Sequence, residues 1–183
     1  MRTLFHFFVV AAATLTLFAC SSSRTDVESD LGIKGAPDWV NEGTKAVDND
    51  KGQLIHGIGS APDMGDQSLQ RSTADGRARA EVARVVSTIV KSSLNDYTTS
   101  TGETADMSVE REITTTTNSA LNGSLIVANW KDPRTGTLYS IAELDLKKLD
   151  AAIESAKKLG NLDKTQFKQD LNANFDRFMK EQN

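Results

Sequence analysis

The chain has few of the residues that most often carry chemistry. There is one cysteine, Cys20, in 183 residues, which excludes an internal disulfide and any cysteine-based metal cluster. Of the two histidines only His56 lies beyond the first twenty residues, and with no second imidazole or thiol beside it a structural role is expected rather than a metal site. Lys and Arg number 21 against 25 Asp and Glu. They are interspersed, so no basic stripe is available to neutralise phosphates, and nucleic acid is not an expected partner. The GxG at Gly57 and Gly59 has no third glycine at dinucleotide spacing and no Lys-Ser/Thr of a phosphate loop. Asp48 to Gly52 starts like a calcium loop, but its sixth and twelfth positions are Gln53 and Gly59, so a turn is expected. General acid–base work would fall to carboxylates, yet Glu143 and Asp145 read as outward strand positions and Glu110 and Glu112 as helix surface. No nucleophile–base pair can be assembled, so neither catalysis nor a cofactor is expected.

What is present is organised around Gln67 to Tyr97, a stretch free of proline. Leu69, Ala80, Ala83, Val86, Val90 and Leu94 recur at three- and four-residue spacings and predict one amphipathic helix with an apolar stripe. On that phase Ala83→Asp is strongly destabilising and Arg84→Ala is not. The first half of the helix is built from Ala74, Gly76, Ala78, Ala80 and Ala83, small enough for another backbone to lie close. The second half turns β-branched, with Val82, Val85, Val86, Ile89 and Val90 supplying apolar area. Asp75 with Arg79 and Glu81 with Arg84 read as pairs on a solvated face, each contributing about 0.2–0.5 kcal/mol. Asp63 or Asp66 is available as the cap, and Thr98 to Gly102 reads as a break.

The N-terminus has a different composition. Arg2 precedes a mostly apolar run from Leu4 to Phe18, too short to span a bilayer and of the length of a signal-peptide core, so residues 1–19 are expected to be removed. Leu17-Phe18-Ala19-Cys20 resembles the bacterial lipobox, with Cys20 the lipidated residue. Residues 20–36 form a polar tether, and the absence of aspartate after Cys20 resembles lipoproteins passed on to the outer membrane. Pro37-Asp38-Trp39-Val40 then docks the chain onto a single domain over 37–183.

Within that domain, Gln53 to Ser60 predicts a strand with Leu54, His56 and Ile58 on one face and Ile55, Gly57 and Gly59 on the other. The two glycines offer a bare surface to the small-residue half of the long helix. Glu103 to Asn122 suits a helix through Ala105, Val109, Ile113, Thr117 and Leu121, or a strand through its threonine run. Leu125 to Lys131 and Thr137 to Leu144 flank a Pro- and Gly-containing turn and predict a β-hairpin. Simple alternation places Trp130 with Ile126 on one face, and Tyr139 with Ile141 and Glu143 on one face of the partner. Lys147 to Leu159 predicts a helix ending at Gly160, and Asp163 starts another. On that last helix Phe167, Leu171, Phe175 and Phe178 form a stripe that needs a partner, either a second copy of the chain or the same domain. The stripe is expected to take part in self-association, because the long helix outreaches a small sheet. The expected fold is α+β: a long amphipathic helix packed on a small antiparallel three-stranded sheet, with C-terminal helices.

In this order the lipobox, the Pro37-to-Val40 docking segment, the glycine strand His56 to Ala61, the Ala74-to-Ala83 helix and the Leu121-to-Leu144 hairpin with Trp130 and Tyr139 resemble the LPP-type twenty-kilodalton outer-membrane lipoprotein family. That family includes a flagellar lipoprotein. The resemblance implies a compact α+β domain and a structural role in the envelope or flagellum without catalysis. Expected partners are the membrane, through lipid on Cys20, and further copies of the chain or envelope and flagellar proteins. No small-molecule substrate is identified. The alternative is a periplasmic module that binds a small ligand or peptidoglycan, for which Trp39, Trp130 and Tyr139 would have to converge.

Overall fold

The computed structural model describes residues 31–47, 53–102, 107–156, 159–160 and 162–182. The signal-like run, Cys20, most of the tether and the turn expected at Asp48 to Gly52 lie outside the described residues. A short helix, α1 (Asp38–Asn41), and a 3-10 turn (Gly43–Ala46) lead to strand β1 (Leu54–Ala61) and the long helix α2 (Gln67–Thr101). Helix α3 (Met107–Leu121), the hairpin β2 (Leu125–Lys131) and β3 (Leu138–Asp145), and helices α4 (Leu146–Ser155) and α5 (Lys164–Gln182) complete the described chain. The sheet is three-stranded and antiparallel with β3 in the middle, in the order β1-β3-β2. This is the expected α+β fold.

Helix α2 begins where Asp66 caps it, its carboxylate accepting from the amides of Ser68 and Leu69 at 2.8 and 3.1 Å. The helix runs through the expected break at Thr98 to Gly102 and stops only at Gly102, whose φ of 70° ends the helical path. The threonines there remain helical because Thr99 and Thr101 turn their hydroxyls onto the carbonyls of Asn95 and Tyr97. Its 35 residues give a length of about 52 Å.

The buried face of α2 differs in phase from the expected stripe. Gln70, Ala74, Ala78, Val82, Val85, Val86, Ile89, Ser93 and Tyr97 are buried, whereas Leu69 and Ala80 are exposed and Ala83 is half-buried. Alanines occur on both flanks, so spacing alone could not choose between Ala80–Ala83 and Ala74–Ala78. The strand beneath chooses. Ile55, Gly57, Gly59 and Ala61 face α2. A Cβ on Gly57 would lie 2.5 Å from the carbonyl oxygen of Ala78, and one on Gly59 would lie 2.6 Å from that of Ala74 and closer still to the amide of Ala78. Val82, not Ala83, therefore occupies the packed face, and the expectation for Ala83→Asp moves to that neighbour.

The second half of α2 leaves the sheet and packs against α5. Phe167, Leu171 and Phe175 are buried in one core with Val85, Val86, Ile89 and Tyr97 of α2 and with Leu146, Leu149 and Ile153 of α4. The Tyr97 hydroxyl accepts from the Asp163 amide at 3.1 Å. Asp163 in turn caps α5 through the amides of Thr165 and Gln166. Residues 107–121 settle as helix, with Val109, Ile113, Thr117 and Ala120 buried. Thr114 and Thr115 bond back to the carbonyls of Glu110 and Arg111 at 2.8 and 2.9 Å, which accommodates threonine inside a helix. Helix α4 ends at Ser155, short of the expected Leu159, and Asp145 is its cap.

Two glycines separate steric from conformational effects. Gly59→Ala, against backbone that cannot yield, is expected to cost about 3 kcal/mol, whereas Gly76→Ala, on the exposed side of α2 with nothing within 4 Å, should stabilise by about 0.5–1 kcal/mol. Urea midpoints at unchanged m-value measure both.

Candidate functional site

The sheet has two unlike faces. On the inner face Ile55, Gly57, Gly59, Ser140, Ala142 and Leu144 are buried under α2. The outer face carries Leu54, His56 and Ile58 of β1, Tyr139, Ile141 and Glu143 of β3, and Leu125, Ala128 and Trp130 of β2, as the pairings Ile58↔Ile141, Ala128↔Ile141 and Trp130↔Tyr139 show. Ile126 is not with Trp130, contrary to simple alternation. The register shifts between Ile126 and Ala128, so Val127 is an extra residue, Ile126 pairs with Ala142 on the inner face, and everything after it is inverted.

The N-terminal segment lies on the outer face. Its attachment starts before Pro37: the Ile33 amide donates to Asn41 Oδ1 at 3.1 Å, and Asn41 Nδ2 donates to the Ile33 carbonyl at 3.3 Å. Val40 is buried and Trp39 half-buried. Pro37, Asp38, Trp39, Ala46 and Val47 form, with Val127, Ala128 and Ile141, an open groove of about 520 Å³, apolar except for the exposed Asp38. Trp130 and Tyr139 stack nearby in the same sheet, their ring centroids 5.7 Å apart and tilted by 44°. The three aromatics thus share a face, but Trp39 lines a groove that Trp130 and Tyr139 do not line. His56 is paired as a structural histidine should be, its Nε2 lying 3.2 Å from Glu143 Oε2 across the strands, with its side chain 6% exposed.

On the inner face a polar network appears that spacing did not reveal. Asp75, expected to pair with Arg79 in solvent, instead accepts from Ser140 Oγ at 2.7 Å and from Asn129 Nδ2 at 2.9 Å. Arg71 donates to Asn129 Oδ1 at 2.8 Å. Gln70, buried in the helix, donates to the carbonyls of Ala61, Pro62 and Gly136, tying the hairpin loop to the start of α2. The loop is itself set by Asp132, whose carboxylate accepts from the Arg134 amide and the Thr135 hydroxyl. These bonds hold its carboxyl below the usual range. The network fixes β2 to α2, and the Ser140 hydroxyl at its centre, held by the Asp75 carboxylate, is fully buried.

The C-terminal stripe is not a free surface. Phe167 and Leu171 are fully buried and Phe175 nearly so, while Phe178 packs at the margin of the same core. Its partner is the second half of α2, which also removes the argument from helix length. Phe167, Leu171, Phe175 and Phe178, expected to take part in self-association, make their contacts within the same domain.

Asp150 went unnoticed in the sequence because nothing local distinguishes it from a surface acid. On α4 its Oδ1 is buried without a hydrogen-bond partner in the protein. Burial pushes the carboxyl above its ordinary value, against the opposing pull of Lys168 and Asn172.

Among the described residues no group of three or more His, Cys, Asp or Glu side chains could hold a metal ion, and no helix is long and apolar enough to cross a membrane. No protein-family model and no curated protein matches the chain. The resemblance to the twenty-kilodalton lipoproteins thus rests on the order of its own residues.

The raised Asp150 carboxyl gives a pH prediction. Below the unfolded-state value, about 3.9, the acid is protonated in both states and costs nothing. As pH rises through the folded-state value, the native protein must carry the buried charge and loses stability. Asp150→Asn is expected to raise the urea midpoint at neutral pH and to leave it unchanged in acid.

Proposed function

We propose that the protein is a bacterial outer-membrane lipoprotein, held through acyl chains on Cys20, with its domain in the periplasm and a structural or assembly role in the cell envelope. The sharpest form of this reading makes it part of a flagellum-associated ring or disc. The observation that carries it is the sole cysteine at the end of a signal-like apolar run, followed by a polar tether. Each buried acyl methylene contributes about 0.8 kcal/mol, so two or three chains anchor the protein without a spanning helix. A role through contacts is supported by the aromatic and apolar groups on the sheet's outer face, Trp130, Tyr139, Leu125 and Val127, beside which Trp39 of the N-terminal segment lies.

A second reading, a periplasmic module for a small ligand or peptidoglycan, is favoured by the groove between α2 and α3. It measures about 510 Å³ and is lined by Lys91, Asn95, Glu110, Thr114 and Thr117. The Thr117 hydroxyl is buried there without a partner in the protein. Soluble peptidoglycan fragments should raise the melting temperature if this groove is a site, and an unchanged melting temperature rejects it.

For the lipoprotein reading, Cys20→Ala is expected to yield soluble or poorly processed protein and to abolish incorporation of labelled palmitate. If the substituted protein still fractionates with the outer membrane at its original mass, the anchor is elsewhere.

A further inference from the structure

We infer that the outer face of the sheet docks flat on the lipid surface that carries the anchor, so that the domain lies on the leaflet. The inference rests on the lipoprotein reading and deepens it by naming what the aromatic face contacts. The first argument is reach. Cys20 is eleven residues before Leu31 in the sequence, and eleven residues span at most about 40 Å. The N-terminal segment meets the outer face through Pro37, Trp39, Ala46 and Val47, with Leu31 and Ile33 bonded back to Asn41 of the same segment, whereas α2 covers the opposite face. The side turned toward the anchor is thus the aromatic one.

The second argument is composition. Leu125 and Val127 on this side are 57% and 48% exposed. They accompany the half-buried rings of Trp39, Trp130 and Tyr139, which also belong to this side. Tryptophan and tyrosine, with an apolar body and a polar edge, settle at the headgroup level of a bilayer. In water an apolar patch of this kind would stand uncovered. An interfacial site covers it at shallow depth, and the bulge at Val127 turns an extra apolar side chain outward. One acyl-anchored residue and one apolar face together hold an orientation that the lipids alone would leave free.

The chain contains two tryptophans, Trp39 and Trp130, and both belong to this face, so intrinsic fluorescence reports on it directly. The full chain, made with its lipid, is reconstituted into phosphatidylethanolamine–phosphatidylglycerol vesicles with and without lipid brominated on the acyl chain near the headgroup. A loss of tryptophan fluorescence in the brominated vesicles, smaller in the Leu125→Ser, Val127→Ser double variant, is the expected result. Both substitutions are at exposed positions, and far-ultraviolet circular dichroism of the variant checks that the fold is kept. Equal fluorescence in the two vesicles, with the protein floating with them, overturns the docking while leaving the anchor in place. Protein that does not float with vesicles overturns both readings. Unquenched tryptophans together with a disulfide between copies carrying Val127→Cys, its only thiol once Cys20 is acylated, show a second copy on this face and also overturn the docking.

Discussion

The close approach of α2 to β1 is the constraint on which the remaining structure depends. Two residues of β1 have no side chain where the helix crosses, and the helix answers with Ala74 and Ala78, both fully buried. At that distance the Arg77 guanidinium donates directly to the Ser60 carbonyl at 2.6 Å, and Gln70 reaches the carbonyls at the end of the strand and in the hairpin loop. Asp75, on the same stretch of helix, is thereby brought to Ser140 and Asn129. A bulkier residue in the glycine strand would lift the helix from the sheet. The polar contacts, which tolerate little extension, would separate with it.

A second consequence is that α2 serves two parts of one core in succession. Its small-residue half lies on the sheet, and its β-branched half is enclosed by α3, α4 and α5. The change in side-chain size along the helix matches the change in neighbour, because a sheet can be approached closely only over small residues whereas helices pack at 8–10 Å over larger ones. Asn174 secures the second region, donating to Asp96 and to the Asp170 carbonyl at 2.9 Å.

Much of this was legible in the sequence wherever a local pattern had a single physical meaning. Gly57 and Gly59 opposite a run of alanines, Asp66 ahead of a periodic stretch, and two β-rich segments around Pro133 and Gly136 each identified an element correctly. The helical phase of α2 did not, because Ala80 and Ala83 are as small as Ala74 and Ala78 and only the strand's position distinguishes them. The outer face was misread for a similar reason. A bulge leaves no mark in the residues Ile126-Val127-Ala128, yet it reverses every side chain that follows. The stripe from Phe167 to Phe178 showed correctly that an apolar face needed covering. Which surface covers it is a long-range fact, and no spacing within α5 encodes it.

The sheet order also sets a sequence of events in time. The strand in the middle, β3, is the last of the three to be made, and neither β1 nor β2 pairs with any other strand. The hairpin of β2 and β3 closes over a short loop, whereas β1 must wait for a segment far along the chain, and such distant pairings slow folding. Until then the glycine strand has only its neighbour α2 for support. The newly made chain therefore holds a nearly bare strand edge during the interval in which unwanted pairing with other chains is easiest.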